Sequence, residues 1–383
     1  MRRYALAALV MAAGLTSCSQ QEEARPLAPA ASVLPAPPAI PEAQHYTSHL
    51  IAESYEHLTA AEAAISSLEQ AIQTLIAQPE EDAVRQARRL WRESYSQYLI
   101  AQASMRLPVS EPPEWRSAGL TRDDLERQIN SWPIEPGYID YLEGYPYSGI
   151  VNDTALELTE SSLLDQHQFA DDSYVSIGFH AIEFLLWGES GQRTAADFDR
   201  SLKTVASEEH PAVINQGRRG DYLLHTVRLL RQHMQRLQLR WSPDTGYYAS
   251  RLAEVSPEKT LQASMLTAQS LIADELLNRY MNEESSPFSK QSQADISALT
   301  TGLSHLLLPE DSATGLNPML VPYPELSQRL QAGFAGTEEC LNDWQQNDSE
   351  ALARQNCRLK LIELLSALDQ TAQQLGMEVP LSE

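Results

Sequence analysis

An all-α protein built as two helical bundles is what this sequence predicts, and three observations carry the prediction. Beyond residue 42, apolar residues recur at spacings of three, four and seven over most of the chain. No alternating pattern of strand length appears. The breaks between most periodic stretches are short, and long helices joined by short connections pack as bundles.

The first residues read as an export signal. Arg2 and Arg3 precede an apolar stretch from Tyr4 to Leu15, which at about a dozen residues is too short to span a bilayer. It ends in Leu15-Thr16-Ser17-Cys18, which resembles a bacterial lipobox, so residues 1–17 are expected to be removed and Cys18 acylated. A plain secretory signal with a chance cysteine is the competing reading. Ser19, rather than Asp, follows the cysteine, and Gram-negative sorting patterns then favour the outer membrane, with the body facing the periplasm. Residues 18–41 follow as a tether in which Pro26, Pro29, Pro35, Pro37, Pro38 and Pro41 interrupt Ala, Ser and Glu. Such a segment favours extended polyproline II and, at about 3.1 Å per residue, spans roughly 70 Å. The membrane is thus an expected partner through the lipid anchor. Loss of Arg2 and Arg3 takes the formal charge from −24 to −26, which opposes binding to nucleic acid.

The body reads as helices in order. Ile51, Tyr55, Leu58, Ile65, Leu68, Ile72 and Leu75 form one amphipathic stripe, and Val84, Ala87, Leu90, Trp91, Tyr95 and Tyr98 continue it over 80–105. Residues 106–122 carry Pro108, Pro112, Pro113 and Gly119 and read as a loop. Thr121, with Asp123 and Asp124 behind it, marks the next helix start. Residues 221–241 form a helix with Leu on one face and Arg on the other; Arg218, Arg219, Arg228, Arg231, Arg236 and Arg240 read as a solvated face. Ser242-Pro243-Asp244-Thr245-Gly246 breaks the pattern, which sets an N-terminal bundle at 42–241 and a C-terminal bundle at 247–383. Residues 259–282 and 292–308 are further helices, and 309–324 is irregular. The chain closes in a hairpin of 338–345 and 350–374 around a turn at 346–349. Cys340 lies six residues before that turn and Cys357 eight after it, so an antiparallel hairpin brings them to nearly the same level. In an oxidising envelope compartment a disulfide is the default, with two free thiols as the alternative.

The chemistry-bearing stretch is Ile177 to Gly188, IGFHAIEFLLWG. A helix this apolar is buried on nearly all sides, and its only polar side chains, His180 and Glu183, leave one face at i and i+3. Unpaired, they would cost a few kcal/mol, roughly, so something must satisfy them. Half of a metal site, an acid–base pair and a structural hydrogen-bonded pair all meet that demand.

Gly178-Phe179-His180-Ala181-Ile182-Glu183 resembles the GxHxxE signature of imelysin-like proteins. Ile129-Asn130-Ser131-Trp132-Pro133-Ile134-Glu135 with Tyr138-Ile139-Asp140-Tyr141 resembles the family's WPI…YID segment, and Glu284-Ser285-Ser286-Pro287-Phe288-Ser289 resembles its ESPFS segment. The resemblance covers residues 45–305. It implies two bundle-like all-helical domains, an envelope location and a link to iron uptake, with iron-uptake components as partners. It implies a metal site at His180 and Glu183, and a cleft lined by Trp132, Arg92, Tyr95, Ser286 and Phe288. One position departs: where family members often carry a Glu after the Arg and Tyr, this chain has Leu99. Glu135, Asp140 and Glu143 are then the substitute metal ligands nearest in sequence, with His57, His225 and Tyr95 as outsiders.

Three functional readings follow. An iron-related binding lipoprotein would use His180, Glu183, Glu135 and Asp140 around a divalent metal, iron first and zinc second. A metallopeptidase needs three protein ligands and a water; HExxH and HxxEH are excluded by Ala181 and Phe184, so no catalytic residue is assigned. A non-catalytic module binding a peptide, polysaccharide or partner protein would need no metal, and would use His180 and Glu183 as a structural pair.

Overall fold

The structure, a computed structural model, describes residues 35–201, 215–346 and 350–377. The expected signal peptide, Cys18 and the tether up to residue 34 lie outside the described residues. From Ala36 onward the chain clusters as one unit. Helices run through it, and among the described residues the only sheet-like feature is an isolated bridge between Leu142 and Tyr145. No described helix is long and apolar enough to cross a membrane.

The first stripe folds as α1, Tyr46–Ala77, and the second as α2, Glu81–Met105. Leu50, Leu58, Ile65, Leu68, Ile72 and Leu75 of α1 are buried, and most of that face lies against α2, which a three-residue connection brings back alongside. A short helix, α3 (Pro113–Ser117), sits inside the segment expected to be a loop; Pro113 occupies its first turn, where the missing N–H costs nothing. Thr121 caps α4, Arg122–Asn130, in a reciprocal box: its hydroxyl accepts from the Asp124 N–H and its N–H donates to the Asp124 carboxylate. Two short helices follow, α5 (Pro136–Ile139) and α6 (Glu160–Gln166). Every residue of α7, Phe179–Trp187, is buried, as its all-round apolarity requires.

Helix α8, Gln216–Trp241, lies along α1. Arg236 is exposed and Arg228 and Arg231 are partly so, as the sequence suggests, but Arg218, Arg219 and Arg240 leave that solvated face. Arg219 is fully buried, Arg240 is buried over the ring of Trp115, and Arg218 donates to the carbonyls of Val151, Ile150, Asp153 and Leu156. Helical spacing marked their face, and ligation by loop carbonyls and a distant carboxylate decided their burial.

The 242–246 break separates α8 from α9 (Tyr247–Ala253). Contacts cross it: α10, Pro257–Ser270, packs on α1, and α11, Ser292–Leu307, lies along α2. That last approach depends on Gly302, where a Cβ would collide with the Ile100 carbonyl oxygen. Helix α10 runs on as a π-helical stretch, Leu271–Tyr280, whose wider turns carry Glu275, Arg279 and Tyr280. After α12 (Asn317–Leu320), the hairpin of α13 (Pro324–Gln346) and α14 (Glu350–Gln374) closes the chain. Helix α13 starts well before residue 338, because Pro324 and Glu325 form a favourable first turn. Cys340 and Cys357 are bridged, with Cα atoms 5.4 Å apart; bridges of this kind contribute about 2–4 kcal/mol.

Candidate functional site

The site begins with a glycine. Gly178 caps α7 at φ +87°, and a Cβ there would lie 2.6 Å from the Ile129 carbonyl oxygen. Only glycine lets the start of α7 approach the end of α4 this closely. The approach sets His180, in the first turn of α7, against Asn130, the last residue of α4. The Trp91 indole N–H donates to the Phe179 carbonyl at 2.8 Å and fixes α7 against α2 from the other side.

His180 and Glu183 are both buried, at 1% and 0% exposure. Nδ1 of His180 lies 3.2 Å from Glu183 Oε2, and Glu183 Oε1 accepts from the Ser289 N–H at 2.8 Å. On the opposite ring edge, Nε2 lies 3.0 Å from Asn130 Oδ1 and 3.2 Å from the Tyr95 hydroxyl. The Tyr95 hydroxyl in turn donates to Asn130 Oδ1 at 3.0 Å. Asn130 Oδ1 can only accept, so it takes the Tyr95 hydrogen and bonds to the ring only through an N–H on Nε2. Burial holds the Tyr95 phenol well above its ordinary pKa, so it remains an O–H donor.

The ESPFS segment supports this network from outside. Its Ser289 carbonyl accepts from Arg92 at 2.9 Å, while Phe288 packs edge-on against Phe184 with ring centroids 5.0 Å apart. Ser285 and Ser286 each donate to Asp295 Oδ2 at 2.6 Å. Asp295, on α11, is fully buried, and that burial pushes its pKa up to about 7, with the Glu183 charge adding to the rise against the two hydroxyls. Trp132 lies beside His180 with centroids 6.3 Å apart, Tyr280 meets the Trp132 ring edge-on at 5.1 Å, and the Arg279 guanidinium stacks 3.9 Å above it.

The substitute ligands do not join the pair. Asp140 is buried elsewhere, bound by Arg193 Nη1 at 2.5 Å and by Arg219 Nε at 2.6 Å, with the Tyr141 N–H also donating to it. Burial alone would raise its pKa, but Arg219 and Arg193 outweigh burial and hold it below the ordinary range. Glu135 and Glu143 are exposed. Among the described residues, the only His, Cys, Asp and Glu side chains that bring three ligand atoms within 4.8 Å are Glu53, His57 and His305, in a different part of the molecule. Leu99, one turn beyond Tyr95 on α2, is fully buried and supplies no oxygen.

A metal centre at His180 therefore lacks donors. One imidazole offers a single nitrogen to an ion: the Nδ1 edge adds only Glu183, and the Nε2 edge adds only a protonated phenol and an amide. Neither edge gathers the imidazole and carboxylate set that a divalent first-row metal takes. The residues fit instead a closed hydrogen-bond network that pins α2, α4, α7 and the ESPFS segment to one point.

Several of its members carried little signal in sequence. Asn130 lies within the motif segment yet looks like a helix end. Asp295 and Tyr280, which flank the network, lie in no motif at all. His180 meets Tyr95 across 85 residues, and Glu183 meets Ser289 across 106.

The family model described as Imelysin, peptidase family M75, matches residues 51–375. No curated protein matches. Among solved structures, one assigned as an iron-regulated protein A precursor from Parabacteroides distasonis ATCC 8503 is similar, with a TM-score of 0.61 at 13% identity over 89% of this chain and 98% of that one. That likeness shows the fold, and the family match spans α1 through α14, taking in all three motif segments. The chain belongs to the imelysin family.

Proposed function

We propose that this chain is a non-catalytic, iron-related binding protein of the cell envelope, and that its ligand sits in a cleft beside the His180 network. The cleft has a volume of about 610 Å³ and is lined in part by Tyr98, Arg106, Arg127, Asn130, Trp132 and Arg279. One observation carries the reading: Asn130 and Trp132 belong both to the cleft wall and to the surroundings of His180. The buried network thus acts as a rigid floor, the stacked Trp132 and Arg279 present a cationic, aromatic face, and Asp123, Glu126, Asp171 and Asp172 also line the wall. That mixed wall suits a metal chelate, which presents both a cation and anionic oxygens, and the Trp132–Arg279 stack is where its oxygens would sit. The name of the solved relative, an iron-regulated protein, supports iron as the metal so carried. A peptidase role lacks the third ligand and the open position that hydrolytic zinc sites need.

Titration with ferric citrate, followed by tryptophan fluorescence, tests this reading. The parent is expected to bind, and Arg279→Ala to weaken binding at least tenfold. Equal binding by the two proteins, or none by the parent, would overturn the cleft. Bare Fe²⁺ bound by the parent and lost in a folded His180→Ala variant would instead restore the metal-centre reading.

The location belongs to the same proposal. An acylated Cys18 holds the body at the outer membrane, facing the periplasm and within reach of iron-uptake components. Cys18→Ser is expected to shift the protein to the soluble fraction. A variant that still sediments with membranes as the parent does would sink the anchor.

A further inference from the structure

A second polar cluster lies away from the cleft, on α1 where α11 crosses it. His49, Glu53 and His57 follow one another at four-residue intervals on α1, which aligns them along one helix face. His57 Nε2 lies 3.2 Å from Glu53 Oε1 and 3.3 Å from Nδ1 of His305, which α11 supplies. All three ligand atoms lie within 4.8 Å of one another. One hydrogen on a ring nitrogen cannot bond well to a carboxylate and a second imidazole at once, so the arrangement converges more lone pairs than protons.

From this geometry we infer a divalent-metal site formed by Glu53, His57 and His305. Two imidazoles and a carboxylate are a recurrent three-ligand set for zinc and related first-row metals. Two atoms bound tetrahedrally to one zinc at about 2.1 Å lie about 3.4 Å apart, close to the 3.2 and 3.3 Å separations here. The surroundings favour a cation. His49, one turn before Glu53, has a buried Nε2 with no hydrogen-bond partner, which makes it a further donor at the margin. Glu56 and Glu310 act electrostatically on His305, and Asp311 acts on His49. An entry path exists as well: His305 lines a cavity of about 630 Å³ whose wall also includes Glu310, Asn317 and Ser304. His305 is itself solvent-exposed, unlike the sealed His180 network.

The competing account is a hydrogen-bonded His–Glu pair on a helix surface with a neighbouring histidine. Calorimetric titration of Zn²⁺ into tag-free, chelator-stripped protein separates the two. One equivalent is expected to bind. His57→Ala should abolish binding, and Glu53→Gln and His305→Ala should each weaken it at least tenfold. His305 is exposed, so its variant should fold as the parent does, with circular dichroism melts confirming this. A parent that takes up no Zn²⁺, or His57→Ala and His305→Ala variants that bind as the parent does, would overturn the site. Either failure leaves the ferric citrate experiment on the cleft unaffected.

Discussion

Asp140→Ala is expected to destabilise the protein by about 3–5 kcal/mol, the range for breaking a buried ion pair and stranding its partner. The carboxylate is fully buried between Arg193 and Arg219, whose side chains are 2% and 0% exposed. Its removal leaves two guanidinium groups close together in the interior, each 5.4 Å from the Tyr141 ring. Asp197, 4.0 Å from Arg219 and partly solvated, is too distant to replace it. The damage should spread, because Asp140 ties the end of α5 to α8 and to the loop that follows α7. Asp140→Asn keeps the shape and some hydrogen bonds but not the charge, and should fall between the parent and the alanine variant. Urea unfolding at neutral pH measures all three. Equal stability of Asp140→Ala and the parent would show that the arginines find water or other partners. Uptake of ferric citrate per folded molecule should be unchanged, because Asp140 is a clamp and not a ligand.

Asp140 also shows where sequence reading stops. The YID segment is visible in sequence, and a carboxylate near an HxxE helix is reasonably assigned to metal. Its real partners lie 53 and 79 residues further on, with no spacing that relates them. Helices were legible because each is a local pattern: the α1 stripe, the Thr121 cap and the all-apolar run of α7 depend on neighbours within a few residues. The burial of His180 and Glu183 was legible on the same ground. What satisfied them was not, since Tyr95, Asn130 and Ser289 arrive from three other segments. Those segments do coincide with the family motifs, so the resemblance located the network while leaving its chemistry open. Glu53 and His57 carried a local signal, a four-residue ladder on α1, but the ligand from α11 comes only with the fold.

The Asp295→Asn variant is expected to change the pH dependence of stability, and by nearly as much as the Asp140 change alters stability itself. Asp295 has an ordinary pKa of 3.8 in the unfolded chain and about 7 in the folded protein. The folded state therefore binds the extra proton between those values, and stability falls as pH rises through that window. Each tenfold gain in proton affinity corresponds to about 1.36 kcal/mol, so the loss at pH 8 relative to pH 4 approaches about 4 kcal/mol as an upper bound. Asparagine mimics the protonated acid: its oxygen can accept from Ser285 and Ser286 as Oδ2 does, and its amide takes the place of Oδ1, which has no partner. The variant should match the parent near pH 4 and gain on it steadily up to pH 7, with the difference level beyond. Other groups titrate too, Asp140 in the opposite sense because its folded pKa is lowered, so the informative quantity is the difference between variant and parent at each pH. Denaturant unfolding from pH 4 to 8 supplies it. A difference that stays flat across that range would mean that Asp295 is ionised in the folded protein throughout. In that case the ESPFS serines would be bonding to a charge, and two like charges, Glu183 and Asp295, would flank one loop at neutral pH.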